Sequence, residues 1–162
     1  LNNTALIFFD TEFTELGVDP RLISIGLVSE DGKHSFYAEL SDTYKKTDCS
    51  DFAEEFVIPL LQGSEAQMSM DILRERLAKW LELFGRPVQL VTDSLAWDWP
   101  WINEIFEGVN AWPANLDRTP FILEQSVELN NAIDLAIGRG LRRHHALDDA
   151  KANRLGYLAC QD

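Results

Sequence analysis

The chain is poor in cysteine, in basic residues and in long apolar runs, and each shortage removes a class of protein. Cys49 and Cys160 are its only cysteines; they lie far apart and form no Cys-x-x-Cys motif, which excludes a small disulfide-dense scaffold. Nowhere do about eighteen apolar residues run together, so no membrane span is read and no membrane partner is expected. The first ten residues hold neither a basic n-region nor a long apolar h-region, and the expected location is therefore cytoplasmic. Leu1 stands where a methionine would, which allows for a residue or leader removed before this numbering. Walker loops, Gly-x-Gly-x-x-Gly and Gly-x-Ser-x-Gly are all missing, leaving nucleotide-loop and serine-hydrolase readings without a motif. Repeats, linkers and low-complexity tracts are missing too, and 162 residues fit a single domain spanning 1–162. Lys and Arg number 14 against 27 Asp and Glu, a net charge of −13 that disfavours a protein coating duplex nucleic acid through many phosphate contacts.

What is present is a foldable core: 46% of residues are hydrophobic and 25% charged. Runs rich in Ile, Leu, Val and Phe predict strands over Ala5–Asp10, Arg21–Ser29 and Ser35–Leu40, with Asp31-Gly32 as a turn and antiparallel pairing across the first two connections. A polar loop, 41–50, leads to a helix over Asp51–Leu61, with Phe52, Phe56, Val57, Leu60 and Leu61 at helical spacing. Ser69 is placed to cap a helix running to Phe84, stopped by Gly85. Then follow a strand over Val88–Thr92, a helix over Asp98–Phe106, a strand over Thr119–Leu123, and helices over Val127–Ile137 and Ala146–Leu158. The pattern predicts an α/β chain with a mixed five-stranded sheet flanked by helices.

Chemistry concentrates at three separated places. Asp10 and Glu12 close the first strand, where residues two apart share a face, so four carboxylate oxygens address one spot. Such like charges repel, and a cation compensates them most simply. Two of the three histidines lie in Arg142-Arg143-His144-His145-Ala146-Leu147-Asp148-Asp149, at the start of the last helix and beside the densest basic run. Between these, Thr92-Asp93-Ser94-Leu95-Ala96-Trp97-Asp98-Trp99 offers two mid-chain acids.

Asp10-x-Glu12, a mid-chain Asp and His144-x-Ala146-x-x-Asp149 together resemble the DEDDh group of 3′-5′ exonucleases, in the order and approximate separation of that family and across nearly the whole chain. Asp98 matches the mid-chain acid, because Trp97 supplies the aromatic the family places before it; Asp93 is the reserve, and Asp93-Ser94 stands where the family often carries a pair such as His-Asn. Asp10-Thr11-Glu12-Phe13, the strand at 22–28 and Glu30-Asp31-Gly32 look closest to a short bacterial exoribonuclease branch. The resemblance implies the RNase H-like fold and removal of nucleoside 5′-monophosphates from single-stranded RNA or DNA 3′ ends. It also implies two Mg²⁺ or Mn²⁺ ions held by Asp10, Glu12, Asp98 and Asp149, with His144 as general base and a homodimer as one possible assembly. Oxygen donors suit such hard cations. Phe13, Thr11, Trp97, Arg142 and Arg143 are the candidate substrate contacts: the aromatics for stacking, the arginines for phosphate. An enzyme that grips a few nucleotides at one end needs few such contacts, so the acidic charge is compatible with this reading. A non-catalytic nucleic-acid-binding domain of the same fold and a metal-dependent nucleotide phosphohydrolase are the alternatives.

Overall fold

A computed structural model describes residues 3–161. The first strand, β1 (Ala5–Phe13), outruns its expected end at Asp10 and carries Glu12 and Phe13 within the sheet. It pairs antiparallel with β2 (Leu22–Ser29), which pairs antiparallel with β3 (Ser35–Leu40). On its other side β1 pairs parallel with β5 (Val88–Thr92). The sheet has six strands rather than the expected five, in the order β4-β3-β2-β1-β5-β6. The extra one, β4 (Gln67–Met68), is two residues long and too short to leave an alternating pattern; β6 shrinks to Phe121–Ile122.

Alternation along β1 assigns the layers. Ile7 and Phe9 pack with α1 (Met70–Glu82) and α2 (Leu95–Phe106) through Leu73, Leu77, Leu81, Ile102 and Phe106. Phe8 packs on the opposite face with Leu129 of α3 (Val127–Gly138) and Ala150 of α4 (Ala146–Ala159). The same parity sends Thr11 and Phe13 toward α2, and Asp10 and Glu12 toward α4. Ser69 caps α1 as expected, its hydroxyl accepting from the Ile72 amide. No helix among the described residues is long and apolar enough to cross a membrane.

Two departures from the expected elements shape the site. Helix α2 starts at Leu95, not Asp98, so Asp98 occupies its first turn. The segment expected as a regular helix over 51–61 instead widens into a π-helical turn over Ala53–Val57 and tightens into a 3₁₀ turn over Ile58–Leu60. Pro59 removes a backbone donor there. Just beyond it, the Gln62 and Gly63 amides are held at 2.6 and 2.8 Å by the carboxylate of buried Glu39. The end of the segment is thus pinned to β3, and its pitch adjusts to reach that anchor.

Gly26 lies opposite Asp10 in the β1–β2 register. A Cβ at that position would stand 2.3 Å from the Leu147 backbone, so only glycine lets the first turn of α4 sit directly on the strand. That approach brings Asp149 to Asp10 and Glu12. Gly26→Ala is expected to cost about 1–3 kcal/mol or more, because backbone rather than a pliable side chain must move. Thermal unfolding checks the loss.

Candidate active site

The C-terminal ends of β1 and β5 lie side by side, where β1 changes from an antiparallel neighbour to a parallel one. Open α/β sheets place ligands at such points. The acids here stand at the junction of two clefts of about 610 and 460 Å³ that share Asp10, Glu12, Asp93 and His144. The larger has apolar walls, including Phe13, Leu16, Phe52 and Trp97. The smaller is polar, with Asn130, Arg143, Asp149 and Asn153.

Asp98 is 3% exposed and accepts hydroxyl hydrogen bonds at both oxygens, from Thr11 at 2.6 Å and Thr92 at 3.0 Å. These bonds partly offset burial, which leads the causes that push its pKa up to about 7. Glu12 is pushed up to about 9, first by burial and then by the charge of Asp149. Asp149 rises to about 6 through burial, opposed by the His144 amide, which donates to it at 2.7 Å. Asp10 is raised well above the ordinary carboxylate range by burial, then by Asp98, Glu12, Asp149 and Asp93. Its Oδ2 is buried without a hydrogen-bond partner. An orphaned oxygen among mutually repelling carboxylates is what a cation ligand looks like, and the all-oxygen donor set fits a hard divalent ion.

The carboxylates bear on pH as well. An acid with a raised folded pKa binds more protons folded than unfolded, so its contribution to stability is present at low pH and lost as pH rises through the folded value. Protein stripped with a chelator should therefore lose stability from about pH 4, where these carboxyls ionise in the unfolded chain, to about pH 9, as Asp149, Asp98 and then Glu12 ionise against one another. Saturating Mg²⁺ should flatten that decline. Melting temperature against pH, with and without the ion, is the check.

His144 has ligand atoms within 4.8 Å of Glu12 and Asp149 oxygens. Its backbone lies in the left-handed region at φ 70°, unusual for a residue other than glycine and often a mark of functional sites. Burial, then Arg143, lowers its pKa, keeping the imidazole neutral and able to accept a proton. Phe52 meets the ring edge-on at 4.9 Å, and Phe56 lies 6.1 Å away. Those two contacts escape sequence reasoning, which saw only apolar helix positions. His145, adjacent, is buried, stacks on Tyr37 at 4.6 Å and caps α4 through its Nδ1.

The candidate substrate contacts divide. Phe13 lies in the larger cleft with Trp97, the rings nearly parallel at 6.0 Å, and it also touches Trp101. Arg143 lines the smaller cleft and pairs with exposed Asp134. Thr11 lines the larger cleft, but its hydroxyl is committed to Asp98, which makes it a support for a carboxylate rather than a side-chain contact for substrate. Arg142 lines neither cleft; its backbone amide and its Nε both donate to Asp148 Oδ2, closing the loop ahead of α4. Asp93, the reserve acid, lies within 4.8 Å of both Asp10 and Asp98, measured between carboxylate oxygens.

No protein-family model matches the chain. Two proteins from Mycobacterium tuberculosis, strains CDC 1551 and H37Rv, each named 3′-5′ exoribonuclease, are 33% identical to it over 97 residues. That stretch is 59% of this chain and 52% of each relative, so the match spans about half the length of these curated relatives. Among solved structures, the Neurospora crassa Pan2 catalytic unit, described as a protease and nuclease domain, superposes with a TM-score of 0.55 at 14% identity. The superposition covers 97% of this chain and 27% of that one. The fold is thus the RNase H-like one that the sequence motifs imply, with the motif acids gathered at the end of its central strands.

Proposed function

We propose that the chain is a metal-dependent 3′-5′ exonuclease that hydrolyses terminal phosphodiester bonds of short or single-stranded nucleic acid, preferentially RNA. One observation carries the reading: Glu12, Asp149 and His144 on one side, with Asp10 and Asp98 on the other, meet where an apolar and a polar cleft join. The name of the mycobacterial relatives supports RNA as substrate.

Asp10, Glu12, Asp98 and Asp149 would hold two divalent ions, Mg²⁺ or Mn²⁺, whose chemistry when bound is to activate water and stabilise charge on the phosphate and the leaving oxygen. His144, neutral and aimed at the acids, takes the proton of the attacking water. The water oxygen bonds to phosphorus as the bond to the 3′ oxygen breaks, giving a nucleoside 5′-monophosphate and a chain shortened by one. The apolar cleft suits the terminal nucleoside, with Phe13 and Trp97 as stacking walls. Arg143, in the polar cleft, is placed to meet backbone phosphate.

Labelled RNA and DNA oligomers, digested with Mg²⁺ or Mn²⁺, test this. Expected is a ladder that starts at a free 3′ end, stops at a 3′-terminal phosphate, and is faster on RNA. With only two or three phosphate contacts, log affinity should fall against log salt with a slope of roughly −1.4 to −2. Efficient cutting of a circular single strand would remove the exonuclease assignment. Hydrolysis confined to free nucleotides would favour a phosphohydrolase.

A further inference from the structure

We infer that Asp93 is a fifth carboxylate ligand of the metal site, binding the same ion as Asp10 and Asp98. The inference rests on the metal-dependent function proposed above and extends it to a residue outside the four-acid pattern.

Two groups of side chains come together: the carboxylates of Glu12 and Asp149 with the His144 ring beside them, and the carboxylates of Asp10, Asp93 and Asp98, the atoms within each group lying within 4.8 Å of one another. Without Asp93 the second group would consist of two carboxylates, and one of them is already engaged. Asp98 receives a hydroxyl proton at each oxygen, so both have one lone-pair direction occupied and are weakened as donors. Asp10 Oδ2, by contrast, is buried and unpartnered. An oxygen from Asp93 completes a set of three carboxylates close enough to share one ion.

Its position in the fold keeps Asp93 there. It follows the last residue of β5 directly, at the bend before α2, and lines both clefts. Asn153, 5% exposed and one helical turn after Asp149 on α4, lines the smaller cleft together with Asp93.

A bland role for Asp93 would be that of an acid near the N-terminus of α2, favoured by the helix dipole. The two roles predict opposite changes in the metal-free protein. Losing a dipole partner lowers the melting temperature, whereas losing one of three repelling carboxylates leaves it unchanged or raises it.

The test is calorimetric titration of chelator-stripped protein with Mn²⁺, together with the melting temperature before and after the ion is added. Asp93→Asn and Asp93→Ala are expected to weaken Mn²⁺ binding at least ~10-fold with no fall in the metal-free melting temperature. Binding within twofold of the parent in both Asp93 variants would overturn the inference, as would a lowered metal-free melting temperature with unchanged Mn²⁺ affinity. Asp10→Asn is the reference. If it abolishes tight Mn²⁺ binding while the Asp93 variants do not, the inference alone fails; if Asp10→Asn binds Mn²⁺ normally, the proposed metal-dependent function fails and the inference with it.

Discussion

Asp10→Asn is expected to lower turnover by more than the roughly 10- to 100-fold typical of losing an outer partner of a metal site, while the metal-free fold becomes more stable. The physical reason is that Asp10 holds a strongly frustrated charge. Burial raises its pKa, four other carboxylates raise it further, and Oδ2 has no hydrogen-bond donor. Asparagine keeps the shape and removes the charge, so the cost of gathering the acids falls at once. In the same step the site loses a carboxylate that lies where the ends of β1 and β5 meet α4. Metal-induced stabilisation should therefore shrink even though the starting melting temperature rises. Two measurements check this: initial rates on a short single-stranded RNA, and thermal shifts with and without Mn²⁺. Undiminished turnover with an unchanged Mn²⁺ response would take Asp10 out of the site and the proposed chemistry with it.

Much of the sheet and the first long helix were legible in the sequence because each is governed by local rules. β2 and β3 announce themselves by apolar runs and the Asp31-Gly32 turn, and α1 by Ser69 and Gly85. The i, i+2 geometry of Asp10 and Glu12 needs only a strand, and β1 extends far enough to provide it. What local rules miss is whatever depends on long-range closure. β4 exists because Gln67 and Met68 happen to lie against Glu39 and Leu40, a pairing of two residues with no pattern of its own. The π-helical turn arises from an anchor on Glu39, more than twenty residues from the amides it binds. Phe52 looked like one apolar position of an amphipathic helix; only the folded chain sets its ring against His144. Arg142 shows the converse. In sequence it is one of several cations beside a catalytic motif, yet Asp148, six residues on, takes up its amide and its Nε.

The adjacent histidines should separate chemistry from folding. His144→Ala is expected to depress turnover by about 10²- to 10⁴-fold, the range for loss of a general base, with little change in stability. The aromatic neighbours of its ring, Phe52 and Phe56, are exposed, and the backbone amide that donates to Asp149 survives the substitution. Alanine inherits the left-handed backbone at this position, so no strain is released that could mask the effect. His145→Ala should do the reverse. It removes the acceptor that caps α4, worth about 0.5–2 kcal/mol, and a stack on Tyr37 worth about 0.5–1.5 kcal/mol, so a loss of about 1–3 kcal/mol is expected. Turnover per folded molecule should then stay near the parent value at temperatures well below the melting transition. Denaturant unfolding and single-turnover rates, measured on both variants, read the two effects independently. A larger chemical defect in His145→Ala than in His144→Ala would mean that the proton acceptor has been assigned to the wrong ring, and with it the alignment of Asp149 on the first turn of α4.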